Sequence, residues 1–274
     1  MNNLHRELAP VSDAAWQQID QEAARTLKRY LAARRVVDVP EPLGAALAAV
    51  GTGHVEKIEG PGQGVQALRR RADALVEWRV PFKLARQAID DVERGAADAD
   101  WSPLKHAARI LAFAEDRAVF DGYAAAGIGG IRPGADKPVL ALPSAAKAYP
   151  AVVAQAVDQL RLAGVNGPYR LVLGADAHTA ISGSSEDGYP VLQHIQRLVD
   201  GEIVWAPAIA GGLVLTGRGG DFELDLGQDI SIGYLGHTAA EVDLYLQESF
   251  TFRLLTTEAA VALGAPSGEP RPAN

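Results

Sequence analysis

The sequence predicts an α+β protein, and three of its features carry that prediction. Two stretches near the C-terminus, 222–234 and 242–252, alternate apolar and polar residues, as strands with one face on a core do. Two others, 12–33 and 103–126, repeat apolar residues at spacings of three and four, as amphipathic helices do. Between them, 132–227 interleaves short strand-like and helix-like runs in the manner of a compact mixed lobe. The 274 residues are 48% apolar and 22% charged, which suffices for a substantial core in one large domain or two modest ones.

Taken in order, the first helix starts at Ser12 or Asp13 after Pro10, and Trp16, Ile19, Ala23, Leu27 and Leu31 form its apolar stripe. Arg34–Val39 reads as a short strand closed by Pro40 and Pro42. Residues 51–80 carry two weakly alternating arms, 53–59 and 65–80, around the glycine-rich tip Gly60-Pro-Gly-Gln-Gly64, and so predict a long hairpin. Its first arm is too poor in apolar residues to fold on itself, so the ribbon needs a surface to lie on, such as another subunit. Ile89–Gly95 closes a short helix. The helix 103–126, capped by Ser102 with Pro103 in its first turn, is a spine about 36 Å long at about 1.5 Å per residue. Leu104, Ala108, Leu111, Ala114 and Ala118 form its main face, broadened by Ile110, Phe113, Phe120 and Tyr123. The lobe then gives helices at 150–163 and 190–199 and strands at 170–173, 202–206 and 213–216. In Arg218–Tyr234 a Gly-Gln-Asp turn joins two strands into a hairpin, with Glu223 and Asp225 on its wet face.

No enzyme signature emerges from the reactive side chains. The six histidines, at 5, 54, 106, 178, 194 and 237, form no His-x-x-x-His pair, and there is no cysteine to complete a metal site or a disulfide. No Gly-x-Ser-x-Gly elbow is present, and Gly127–Gly134 follows a helix where a dinucleotide loop would follow a strand. The acids at 90, 91, 93, 98 and 100 lack the spacing of a calcium loop, and Arg69-Arg70-Arg71 reads as a subunit contact or a solvated turn. A net charge of −8 argues against a general nucleic-acid binder. The opening residues lack the apolar core of a signal peptide and no run nears the roughly 18 apolar residues of a membrane span, so a cytoplasmic protein is expected. No catalytic residue, metal site or cofactor is assigned.

Several stretches resemble the encapsulins, bacterial shell proteins of the linocin bacteriocin type. They are Asn3-Leu-His-Arg-Glu-Leu-Ala-Pro10 with Trp16 and Ile19-Asp20, Gly167-Pro-Tyr169, Gly188-Tyr-Pro190, Trp205-Ala-Pro207, Arg218-Gly-Gly-Asp-Phe222, Leu226-Gly-Gln-Asp-Ile-Ser-Ile-Gly-Tyr234 and Glu248-Ser-Phe-Thr-Phe252. The likeness runs in the family's order to about Leu263, and Arg218–Tyr234 is its most specific part. It implies the tailed-phage major-capsid fold of the Hong Kong 97 type. On that pattern the peripheral domain comprises 1–44, 81–131 and 227–263, the extended loop 45–80 and the axial domain 132–226, with a disordered tail at 264–274.

The same resemblance implies a homo-oligomer, sixty copies in the smallest shells, closed around a cargo protein. The cargo is dye-decolorising-peroxidase-like or ferritin-like, and any haem or iron belongs to it. Its terminal targeting peptide is expected to dock on the inner wall. The matching positions are Leu27, Leu31, Arg34, Asp38, Ile230, Ile232 and Tyr234: aliphatic anchors for an extended peptide, with an Arg/Asp pair to orient it. The competing reading makes Ile230 and Ile232 ordinary core. Ser184, Ser185, Glu186, Asp187, Gly188 and Tyr189 match the loop that lines the five-fold opening, where repeated acids would favour cations. Two rival functions stay open at this stage, a genuine phage capsid protein and a hydrolase or secreted bacteriocin.

Overall fold

Residues 3–186 and 188–265 are described by the computed structural model. The helix α1 (Asp13–Tyr30) begins where Ser12 Oγ accepts a hydrogen bond from the amide of Ala15. It stops at Tyr30, short of residue 33, because the chain then tightens into a 3-10 turn at Ala33–Arg35. The carboxylate of Asp116 accepts from the amides of Ala32 and Ala33 at 3.2 and 2.8 Å and holds that turn inside the core. The strand expected at 34–39 is therefore absent, apart from a single bridge between Asp38 and Glu223.

Strands β1 (Ala49–Ile58) and β2 (Ala67–Ala74) form an antiparallel ribbon with an irregularity between Gly51 and Val55. The second predicted arm is split, because after Leu75 the chain continues as β3 (Val76–Ala85) in a different sheet. Helix α2 (Arg86–Glu93) leads to α3 (Ser102–Phe120), whose first amide donates to Asp100 Oδ1 at 2.9 Å, so Asp100 supplies the cap expected from Ser102. The spine ends at Phe120 instead of 126 and measures about 28 Å. Gly122 ends it at φ 90°, with its Cα packed on the backbone of Gly129, where no side chain fits.

The one-turn helix α4 (Ile131–Gly134) and strand β4 (Leu140–Ala141) open the lobe. There follow α5 (Tyr149–Leu162), β5 (Tyr169–Leu173), α6 (Ala175–Ser182), the short pair β6 (Ser185–Glu186) and β7 (Tyr189–Pro190), and α7 (Val191–Val199). Strands β8 (Ile203–Trp205) and β9 (Gly212–Thr216) complete it. The remaining strands are β10 (Phe222–Leu226), β11 (Ser231–His237), β12 (Glu241–Leu254) and β13 (Ala260–Gly264).

Two sheets organise these elements. The lobe sheet has the order β4-β13-β9-β5-β8, so β13 returns to the lobe instead of staying with the peripheral strands of 227–263, and Gly264 is strand where a tail was expected. Residues 266–274, the rest of that tail, lie outside the described residues. In the other sheet β12 is central. β3 pairs along one edge of it, while β10 and β11 follow one another along the opposite edge, Leu226 facing Phe250 and Ser231 facing Gln247. The predicted hairpin is thus one edge strand with a break. The Gly-Gln-Asp segment does not reverse the chain, because Gly227 donates to Ser249 and the Ser249 amide donates to Gln228, carrying the ladder across.

Three cores result. α1, α2 and the first half of α3 pack on β3, β11 and the start of β12. The end of α3 joins Phe222, Phe250 and Phe252 to one face of the lobe sheet, and α5 and α7 cover the other face. The spine reaches two of these cores, which is why its face is broad. Leu111 is fully buried while its neighbour Ile110 is 44% exposed. Leu111→Ala should cost about 2–5 kcal/mol in denaturant unfolding, and Ile110→Ala about 1 kcal/mol or less. Similar losses at both sites would mean that the helix is rotated from this orientation.

Candidate functional site

Five of the seven expected docking residues come together. The α1 stripe carries Leu27 into the first core, and Leu31 follows it in the turn beyond. β11 brings Ile232, buried, and Tyr234, half-buried, onto the same cluster, and Ile230, half-buried just before the strand, joins them. The Tyr234 amide donates to the carbonyl of Leu4 and its hydroxyl meets His237 Nδ1 at 2.6 Å, so the N-terminal residues lie beside this strand. Leu27, Leu31 and Ile232 are core. Ile230 and Tyr234 are the members of the group with surface to offer a peptide.

The other two residues make their bonds within the fold. Asp38 accepts from the Gly220 amide at 2.6 Å, and its backbone exchanges hydrogen bonds with Phe222 and Leu224. Arg34 turns inward. Its guanidinium forks onto Glu115 with contacts of 2.6–3.0 Å, reaches Asp229 at 2.7 Å and touches Glu248 at 3.3 Å. Arg34 and Asp38 both line a small cavity beside Phe222, while the Arg34 guanidinium is engaged by three carboxylates.

This cluster was not foreseen. Glu115 and Glu248 are both completely buried, and Asp116 beside them is too. Burial alone would lower the Arg34 pKa, but Glu115 and Asp229 outweigh it and hold the guanidinium firmly charged. Burial pushes the Glu248 carboxyl well above the usual range, and neighbouring Glu115 pushes it further against the pull of Arg34. Burial and Glu115 thus both favour the protonated form of Glu248 over the charged one. Its Oε1 has no partner among the described residues. Asp116 is raised by burial to about 8, although two backbone amides favour its charged form. The local signal for this cluster was Glu115-Asp116 set between Ala114 and Ala118 on an apolar helix face.

The loop expected at the five-fold opening forms the small β6–β7 pair. Ser184 Oγ donates to the carbonyl of Ala180 at 2.7 Å, Ser185, Glu186 and Gly188 are exposed, and Arg197 lies over the Tyr189 ring at 5.1 Å. Asp187 lies outside the described residues. On the ribbon, Arg69 pairs with Glu56 across the two strands at 2.8 Å. Among the described residues no group of three or more His, Cys, Asp or Glu could hold a metal ion, and no helix is long and apolar enough to cross a membrane.

Residues 1–251 match the Linocin_M18 family model, described as encapsulating protein for peroxidase. The chain belongs to this encapsulin family. It is 57% identical over 263 residues to the type 1 encapsulin shell protein of Rhodococcus erythropolis, covering 96% of this chain and 100% of that one. The corresponding encapsulin of Mycobacterium tuberculosis is 55% identical, with 96% and 99% covered. Among solved structures, the virus-like particle from Pyrococcus furiosus superposes with a TM-score of 0.62 at 13% identity, over 90% of this chain and 98% of that one. A phage-related protein from Bordetella bronchiseptica gives 0.55 at 11%, over 93% and 97%. These likenesses show the fold, that of the phage major capsid of the Hong Kong 97 type, and the encapsulin subunit described above is a version of it.

Removing Arg34 from this encapsulin strands buried carboxylates, so Arg34→Met should cost about 3–5 kcal/mol near neutral pH. Because burial favours the neutral form of Glu248, Glu248→Gln should cost about 1 kcal/mol or less. A large loss in urea unfolding of Glu248→Gln would mean that Glu248 is ionised. Asp116 gives a pH test. Its proton is held to about 8 in the folded chain against 3.8 ordinarily, so the fold binds more protons than the unfolded chain across that window and loses stability as pH rises through it. Asp116→Asn lacks this titration. Its stability relative to the unchanged protein should improve between about pH 5 and about pH 8, as followed by unfolding at several pH values.

Proposed function

We propose that this chain is a structural, non-enzymatic subunit that closes with copies of itself, sixty in the simplest case, into an icosahedral shell. The shell encloses a peroxidase of the dye-decolorising type, with a ferritin-like protein as the second candidate cargo. The observation that carries this reading is likeness at 55–57% identity, over nearly the whole chain, to shell proteins. The open β1–β2 ribbon supports it. Val55, Ile58, Val65 and Leu68 are exposed there, and a two-stranded ribbon gains stability only against another surface. The assembled particle acts in the cytoplasm, in defence against oxidative stress. It carries no cofactor of its own, and haem or iron belongs to the cargo.

The cargo's terminal peptide docks on β11 beside the end of α1. Ile230 and Tyr234 provide the contact surface, and Leu27, Leu31 and Ile232 hold it in place from beneath. Electron microscopy of the purified protein should show closed particles of uniform diameter without a nucleic-acid absorbance signal. Soluble small oligomers would refute the shell, and packaged nucleic acid would favour a phage capsid. Ile230→Asp should leave particles intact and reduce co-purifying cargo roughly tenfold or more, as expected for a charge placed in an apolar anchor pocket. Unchanged loading would put the dock elsewhere.

The β6–β7 loop is assigned to the five-fold opening, where Glu186 and Asp187 from five subunits form an acidic ring. Replacing them together with Gln and Asn should slow cation entry relative to anions in stopped-flow influx measurements. Unaltered selectivity would remove the ring from that role.

A further inference from the structure

Between α1 and the start of α3 runs an open groove of about 560 Å³, the size of a small-molecule site. Its charge is opposite to that of the chain as a whole, which carries −8. Arg25, Arg29, Lys105 and Arg109 line it, with His106 beside them, and its one carboxylate is that of Glu22. Glu22 is committed: it pairs with Arg25 and accepts from the hydroxyl of Thr26. Arg29, Lys105 and Arg109 have no salt-bridge partner among the described residues. Asp100, the nearest acid to Lys105 along the chain, is already bonded to the Ser102 amide.

Two of these exposed cations also have side-chain neighbours. Arg109 donates to His106 Nδ1 at 3.3 Å, and Arg29 sits 5.9 Å from the rings of both Tyr30 and Trp205. Tyr30 is in turn fixed edge-on against Phe113, with centroids 5.6 Å apart. Two guanidinium groups and an ammonium on facing helices suit a ligand with several oxyanions, since guanidinium meets phosphate in bidentate fashion. The N-terminus of α3, a helix of 19 residues, opens beside the groove at Ser102 and adds to its positive potential.

We propose that this groove is a binding site for a small polyphosphate-bearing molecule, one per subunit. It is distinct from the proposed cargo dock, since its α1 residues lie about 100° around the helix from the stripe that carries Leu27. The assignment stands whether or not the cargo reading does.

Isothermal titration of the intact particle with inorganic tripolyphosphate, with ATP and with adenosine tests it. Tripolyphosphate and ATP should both bind once per subunit, and more weakly at higher salt. Adenosine should not bind. The double variant Lys105→Gln/Arg109→Gln changes exposed side chains only and should keep its particle form and melting temperature. It should lose affinity for tripolyphosphate roughly tenfold or more, as removal of two charge-assisted contacts implies. Failure of tripolyphosphate to bind at millimolar concentration, or equal binding by the double variant, would overturn the proposal. A Glu-rich peptide that binds where tripolyphosphate does not would give the groove to an acidic protein segment and would overturn it as well.

Discussion

The fork of Arg34 onto buried carboxylates is the contact on which the rest of the subunit depends. It joins four elements distant in sequence: the turn after α1, the middle of α3 through Glu115, β12 through Glu248, and the break between β10 and β11 through Asp229. Burying two carboxyl groups completely is expensive, several kcal/mol for each one left ionised, and one guanidinium cannot neutralise three anions. The upward push of burial on the Glu248 carboxyl acts to relieve that conflict. Well-packed apolar residues would stabilise such a site at least as well, so the cluster's contribution is directional. A planar fork accepts its partners only in particular positions, and this fixes how α3 lies on the sheet and where the chain leaves α1. Asp116 completes the arrangement by capping the turn that presents Arg34.

That cluster also explains why β10 and β11 are two strands in one line. Asp229 stands at the break, held by Arg34, and its Oδ1 also accepts from the amide of Ile230. Beyond the break the side chains resume alternation against the first core, whereas β10 faces the second. Glu223 and Asp225, expected in water, are drawn to Arg253 on the neighbouring strand at 2.9 and 2.7 Å. A single edge strand therefore serves two cores, and α3 spans the same two on the other side. Shared packing thus joins α1, the spine and the lobe sheet into one body.

How much of this was legible depended on how local each cause is. The caps, stripes and alternations of α1, α5, α7 and β10–β12 are written in neighbouring residues, and they appear where expected within a few positions. Pairing is not local. Nothing within 218–234 distinguishes a turn that reverses the chain from a break that continues it, because the deciding partner is Ser249 on β12. The end of α3 was overestimated for a similar reason: Tyr123–Ala126 are compatible with helix, but Gly122 must approach Gly129. At the candidate site the apolar residues were legible through their periodicity. The partner of Arg34 was not, since the choice between Asp38 and Glu115 is made by the path of a turn that Asp116 holds. The basic groove was invisible for the plainest reason, as Arg25 and Arg29 are some eighty residues from Lys105 and Arg109.

The ribbon of β1 and β2 is the longer of two self-paired strand pairs among the described residues, the other being β6–β7. It pairs only with itself, and both of its faces carry exposed aliphatic side chains beside charged ones, such as Val55 next to Glu56 and Leu68 next to Arg69. The Arg69–Glu56 pair is fully exposed and contributes little to the fold. Such a ribbon weakens an isolated chain and becomes favourable only when another surface covers it. The same sequence spends its buried charges on fixing the body and leaves an arm unsatisfied. That division suits a chain that packs against copies of itself, since the arm leaves apolar surface uncovered.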